Sequence, residues 1–308
     1  MKRTILIMFL ITMVFIFDTD ILNDSIYNIY YKIINLNNEK IISNKDLLNK
    51  NEYYKENYSS FIKETEDYLV KNKNDLINVY YSAINNGFEN LTFYCDDSYI
   101  ACFNDINSLD NENDNFSYIN QLVNVYNTYS SIESTYSSNN RVDIKINKKY
   151  SKETIDKIND EINRVLSVLD INKYSDIKEK IKVIHDYLAN NNTYDNDKDN
   201  GNSTYKSDSA YGALFEGKAI CSGYTDAMSL FLDKLSIPNT RLASENHVWN
   251  IIKIGETWYH LDLTWDDPVT SNGTDVIIYD YFLITTDELK SKDDDEHNIN
   301  TEVYNFVK

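Results

Sequence analysis

Apolar residues recur along this chain at two spacings, and the switches between them outline its organisation. From residue 44 to about 86 the recurrence is mostly helical, with Leu47, Leu48, Phe61, Leu69, Leu76, Val79 and Tyr80 at the positions a helix would bury. Residues 91–95 then read as a short strand, and Val142, Ile144 and Ile146 alternate as a strand with one exposed face should. Ser138, Asn139 and Asn140 supply a turn ahead of it. This pattern predicts a small α+β domain over residues 44–150, and no site chemistry stands out in it.

Helical spacing resumes at residue 151. Ser151 can cap a long helix in which Ile155, Ile158, Ile162, Val165, Leu166 and Leu169 share a face. A second helix is expected over about 176–189, with Ile177, Ile181, Ile184 and Leu188 on one stripe and His185 at its edge. Residues 190–209 are polar and read as a solvated loop. Within it Asp195, Asp197 and Asp199 imitate the start of a calcium loop. Asn200, however, stands where that loop needs glycine, and Lys206 where it needs a bidentate glutamate.

A third helix follows, because Ile220, Tyr224, Ala227, Met228, Phe231 and Leu235 fall on one face ahead of Pro238. Cys221 sits in its first turn, where free backbone N–H groups and the positive end of the dipole favour a thiolate. The same N–H groups could hold an oxyanion. Two alternating strands come next, at 247–254 and 258–264, joined by Gly255-Glu256. Glycine first in a two-residue loop suits a type II′ hairpin. Ile254 then opposes Thr257, His247 opposes Thr264 and Trp249 opposes Asp262, so His247 and Asp262 become diagonal neighbours on one face. A slip of one residue would separate them. Asp266 is a diagonal candidate too, but Asp266-Asp267-Pro268 reads as a turn beyond the strand. His260 shares the face with Asp262 and lies farther from His247.

Composition narrows the function. The 308 residues carry 30 basic and 49 acidic side chains, a formal charge of −19. So acidic a chain repels phosphate backbones, which argues against nucleic-acid binding, and self-repulsion favours a soluble monomer. Lys2-Arg3 followed by an apolar run over residues 4–17 and then Asp18 fits a signal peptide or an uncleaved membrane anchor at 1–20, ahead of an Asn-rich spacer at 21–43. The run is short for a full span. The protein is therefore expected outside the cell or at its surface. There, three cysteines leave at least one unpaired unless a second chain supplies a partner. Cys95 and Cys102 are close enough in sequence to pair, and Cys221 is the one to explain. Residues 291–308 read as an acidic tail, with His297 following the solvated run 293–296.

The residues around Cys221 and the hairpin resemble the transglutaminase-like superfamily over about 151–283. The carrying blocks are Ser209-Ala210-Tyr211-Gly212-Ala213-Leu214 through Cys221-Ser222-Gly223-Tyr224, then Asn246-His247-Val248-Trp249-Asn250, then Trp258-Tyr259-His260-Leu261-Asp262-Leu263-Thr264-Trp265. His185-Asp186-Tyr187-Leu188 and Tyr194-Asp195 resemble bacterial members as well. The resemblance implies an α+β, papain-like core over 151–290, in which a cysteine-bearing helix packs on an antiparallel sheet. It also implies Cys221 as nucleophile, His247 as general base, Asp262 as the orienting carboxylate, and acyl transfer on protein or peptide amides through a thioester without a cofactor. Tyr211 is a candidate second oxyanion donor. The alternatives are a non-catalytic binding or scaffold module on the same fold, and a metal site built from His247, His260 and Asp262, for which no HExxH or paired CxxC spacing speaks.

Overall fold

Short polar side chains, more than apolar spacing, decide where the first helices begin. The computed structural model describes residues 51–110, 117–137, 139–198, 200–268, 276–292 and 294–307. The expected export segment and spacer, with Leu47, Leu48, Ser138 and Asp199, lie outside these residues. The first elements are β1 (Leu69–Val70), α1 (Lys73–Asn85), β2 (Asn90–Cys95), α2 (Cys102–Asp110), α3 (Ser117–Leu122), β3 (Tyr129–Tyr136) and β4 (Arg141–Lys148). The helix expected from residue 44 thus begins only at Lys73 among the described residues. Upstream of it, Asn57, Thr65 and Asp67 accept from the backbone N–H groups of Ser59, Asp67 and Leu69. Such local bonds offer the backbone a turn in place of a helix. Leu69, expected inside, is exposed in β1, and Val70 is buried instead.

These strands form a sheet in the order β1-β2-β4-β3, parallel only between β1 and β2. Leu91 and Phe93 of β2 and Val142, Ile144 and Ile146 of β4 are buried, and α1 sets Tyr80 edge-on to Phe93 at 5.9 Å. A disulfide joins Cys95, at the end of β2, to Cys102, at the start of α2, and leaves Cys221 free.

The chain continues through α4 (Lys152–Val168), α5 (Ile177–Asn190), β5 (Thr193–Tyr194), β6 (Lys218–Ala219), α6 (Cys221–Lys234), β7 (Asn239–Ala243), β8 (Val248–Ile254), β9 (Thr257–Leu261), α7 (Leu263–Asp266), β10 (Phe282–Ile284) and α8 (Thr286–Ser291). The whole is an α+β arrangement, as expected. Ser151 caps α4 by accepting from Thr154 N, and Asp176 caps α5 by accepting from Lys178 N. The stripe on α5 is buried except at Ile177, which its first turn leaves exposed. Residues 190–209 are not wholly solvated: β5 pairs in parallel with β6, and Asp195 is buried where it accepts from Ser203 Oγ.

The centre of this part is α6, buried on every side from Gly223 to Leu232. A Cβ on Gly223 would lie 2.2 Å from the Ser207 carbonyl, so only glycine lets the 207–209 backbone pass that close to the start of the helix. Against α6 lies a second antiparallel sheet, β10-β9-β8-β7. Asn250 Nδ2 donates to Thr225 O and Ser229 Oγ, and Thr225 Oγ1 donates to Val248 O, which ties the first turns of the helix to β8.

One buried charge on α6 fastens it to β7 and to the connection between β4 and α4. Asp226 accepts from Arg241 of β7, from Lys149 Nζ at 2.9 Å and from Tyr150 Oη at 2.9 Å. Arg241 also donates to Asn120 O and Val123 O. Burial alone would push the Asp226 carboxyl up, but Lys149 and Arg241 hold it below the usual carboxylate range. Removing one member of a buried ion pair leaves the other charge uncompensated, at about 3–5 kcal/mol. Asp226→Ala is therefore expected to lower the unfolding free energy measured by urea titration by that amount, and a loss under 1 kcal/mol would contradict this role.

Candidate active site

The β8–β9 hairpin has the register read from the sequence: Ile254 pairs with Thr257 and Asn250 with Leu261. Gly255 takes a φ of 62° and Glu256 no positive φ, as a type II′ turn requires. The strand itself ends sooner than expected. Asp262 and Thr264 do not continue β9, because the Asp262 carboxylate accepts from the backbone N–H groups of Thr264 (2.9 Å) and Trp265 (3.2 Å) and caps the short α7. That cap fixes the carboxylate while leaving its second oxygen free to turn toward β8.

There Oδ2 of Asp262 meets Nε2 of His247 at 2.5 Å, both residues being buried. With Nε2 engaged, Nδ1 is the ring nitrogen left for another partner, and half-buried Cys221 is among the groups that act on the imidazole. Trp249, two residues along the chain in β8, stacks on the ring at 5.9 Å with an interplanar angle of 14°. The structure thus joins His247, just before β8, to Asp262, the cap of α7, and sets Cys221 at the start of α6 as their neighbour.

Burial disfavours the His247 imidazolium, yet Asp262, and after it Cys221, push it up to about 10. Burial likewise disfavours ionised Asp262, but His247 and then His297 hold it down to about 2. The arrangement therefore favours an imidazolium–carboxylate pair facing a thiol.

The other histidines are more deeply built in than the sequence suggests. His260 is an acceptor for Trp249 Nε1 (3.0 Å) and faces Thr286 Oγ1 (3.1 Å), and its burial pushes it down to about 3. Both ring nitrogens are thus occupied away from His247, which removes His260 from the metal set considered above. His185, expected at the edge of a helix face, is fully buried with Nε2 3.2 Å from Asp266. Asp266, expected in an exposed turn, ends α7 and accepts from Tyr281 N.

His297 is the largest departure. It is buried rather than displayed on a solvated tail, with Nε2 2.8 Å from Asp262 Oδ2 and Nδ1 2.7 Å from Asp294 Oδ1. Val303 and Tyr304 beyond it are buried as well. Donor atoms of His247, Asp262 and His297 lie within 4.8 Å of one another, a spacing a divalent cation could use, although hydrogen bonds already occupy all three. The candidate oxyanion donor Tyr211 packs on Phe215 at 4.8 Å and lies beneath Lys206.

Residues 168–263 match the model of the transglutaminase-like superfamily, a stretch that contains Cys221, His247 and Asp262. This segment of the chain is therefore transglutaminase-like, as its motif blocks suggest. Among solved structures the chain is similar to a TGase, at 17% identity and a TM-score of 0.34, covering 44% of this chain and 44% of that one. It is also similar to a candidate cysteine protease from Cytophaga hutchinsonii, at 17% identity and a TM-score of 0.29, covering 48% of this chain and 65% of that one. The chain thus spans less than two thirds of each. No curated protein matches it.

The pair gives a signed pH dependence. His247 is raised above its unfolded value of about 6.5, so its contribution to stability is complete below that pH and is lost as pH rises through about 10. Asp262 is depressed, so its contribution is complete above about 4 and is lost as pH falls through about 2. The stability difference between the wild type and Asp262→Asn should accordingly be largest between about pH 4 and 6.5 and shrink toward pH 10, as measured by urea unfolding across that range. A difference that grows with pH would contradict the pairing.

Proposed function

We propose that this protein is a thiol acyltransferase or peptidase working on protein or peptide amides, with Cys221 as nucleophile, His247 as acid–base and Asp262 as its orienter. The observation that carries the reading is the position of Cys221, at the first residue of α6 and neighbour to an imidazole whose Nε2 is held by Asp262. Chemistry of this kind pairs a sulfur nucleophile with an imidazole that can move a proton and a third group that orients it.

The thiolate sulfur adds to the carbonyl carbon of an amide, and the carbon–oxygen π pair moves to oxygen. In this reading backbone N–H groups at the start of α6 receive that oxyanion, and one such donor is worth about 3–4 kcal/mol in the transition state. The carbonyl re-forms as the carbon–nitrogen bond breaks, and the His247 imidazolium gives its proton to the departing amine. A thioester on Cys221 and a neutral imidazole remain. An incoming amine or water then adds to the thioester, gives its proton to His247 and releases the sulfur as thiolate. An amine acceptor yields a crosslink, and water yields deamidation or proteolysis. Asp262 keeps the ring in the tautomer and orientation that both steps need.

Work outside the cytoplasm is part of the same proposal. Its supports are the basic-then-apolar pattern of residues 2–20 and the Cys95–Cys102 disulfide, a bond that persists mainly in oxidising compartments. Among the described residues no helix is long and apolar enough to cross a membrane.

Iodoacetamide should label Cys221 at mildly acidic pH, and His247→Gln should slow that labelling at least about tenfold. A glutamine-containing peptide should leave a thioester adduct on the wild type and none on Cys221→Ala. Release of that adduct into a supplied amine, compared with release into water, assigns the outcome. An adduct that survives in Cys221→Ala would overturn the nucleophile, and a thiol inert to both reagents would favour the scaffold reading.

A further inference from the structure

The Asp262 carboxylate accepts four hydrogen bonds, and only one comes from His247. Two backbone N–H groups of α7 fill Oδ1, while His247 and His297 share Oδ2 at 2.5 and 2.8 Å. His297 is held from its other side by Asp294, which accepts from the ring at Nδ1 (2.7 Å) and from the His297 backbone N–H (2.9 Å). Tyr281 lies flat on the ring at 4.9 Å, and Trp249 meets it edge-on at 4.8 Å. The His297 ring thus faces a carboxylate oxygen at each of its nitrogens.

The segment bearing His297 is fastened independently of the site. Tyr304 Oη accepts from Ala243 N of β7, and the Val303 carbonyl accepts from Ser59 Oγ. His297 therefore reaches Asp262 from a docked C-terminal segment. The other ionisable groups packed about the two imidazoles are Cys221, Asp294, Tyr281, Lys290 and His260.

We infer that His297 is a positioning residue for the base: it pins Oδ2 of Asp262 and, by sharing that oxygen, limits how tightly Asp262 holds the proton of His247. This rests on the proposed role of His247. A general acid has to surrender its proton to the leaving amine, and an undivided carboxylate at 2.5 Å would hold that proton back. A second ring nitrogen hydrogen-bonded to the same oxygen divides its pull.

The test follows the His247 ring by NMR in the full chain, together with the pH profile of Cys221 alkylation by iodoacetamide. His297→Leu should raise the His247 titration midpoint by about one pH unit, the scale of removing a hydrogen bond from the carboxylate that His247 faces, and move the alkaline limb of alkylation with it. His297→Gln keeps an N–H donor for Oδ2 and should return at least half of that shift. Asp294→Asn, which releases His297 without touching Asp262, should give a smaller shift in the same direction. An unchanged or lowered midpoint, with loss of thermal stability only, would show a merely structural residue and overturn the inference. If His297→Leu does not fold, Asp294→Asn decides, and an unchanged His247 midpoint there overturns it. The NMR readout does not require a reactive thiol. An inert Cys221 with a shifted His247 therefore refutes the proposed function while leaving the coupling between the two histidines intact.

Discussion

Everything distinctive in this site depends on the hydrogen bond from the His247 ring to Asp262, because it joins two elements that the hairpin alone leaves merely adjacent. His247 precedes β8 and Asp262 follows β9, so neither belongs to the paired ladder that sets the register. The ladder brings the two ends together, and the cap of α7 aims the carboxylate. Binding one oxygen to two backbone N–H groups leaves the other in a fixed place, which is how a residue outside a strand acquires the precision of one within it. The imidazole then has one nitrogen committed to the carboxylate.

The thiol is positioned by different forces. Helix α6 is buried from Gly223 to Leu232, and the glycine contact with Ser207, the bonds to β8 and the charge cluster at Asp226 define its depth and angle. Its first two residues, Cys221 and Ser222, reach the surface in part. A cysteine there is presented by a helix that cannot shift without breaking the Asp226 cluster, so stability and reactivity share one element. The same helix is tied to the segment around Asn120 and Val123 through Arg241, which links the first half of the chain to the placement of Cys221.

Much of this was legible in the sequence, and the misses share a cause. Periodicity found α4, α5, α6 and the hairpin register, because apolar burial on one face dictates them. It failed where short polar side chains redirect the backbone: residues 51–72, which form turns, and residues 262–266, which form a capped helix instead of continuing a strand. It failed again at His297. An acidic run reads as solvated surface, and nothing in charge counting shows that one aspartate in it turns inward. The available signal was local, an Asp294 three residues ahead of His297 with Val303 and Tyr304 following as anchors, and it takes its meaning only when Asp262 is known to lie opposite. Buried His185 and Asp266 were missed for the same reason, since the partner of each is distant in sequence.

The most direct measurement is the proton between His247 and Asp262. In the intact protein, NMR of the histidine rings should show a strongly deshielded proton on His247 Nε2, as a short bond to a carboxylate produces, identified by its disappearance in His247→Gln. Asp262→Asn should abolish that resonance and slow alkylation of Cys221 together. A wild type lacking the resonance, or an Asp262→Asn protein that keeps both the resonance and the reactivity, would contradict the account.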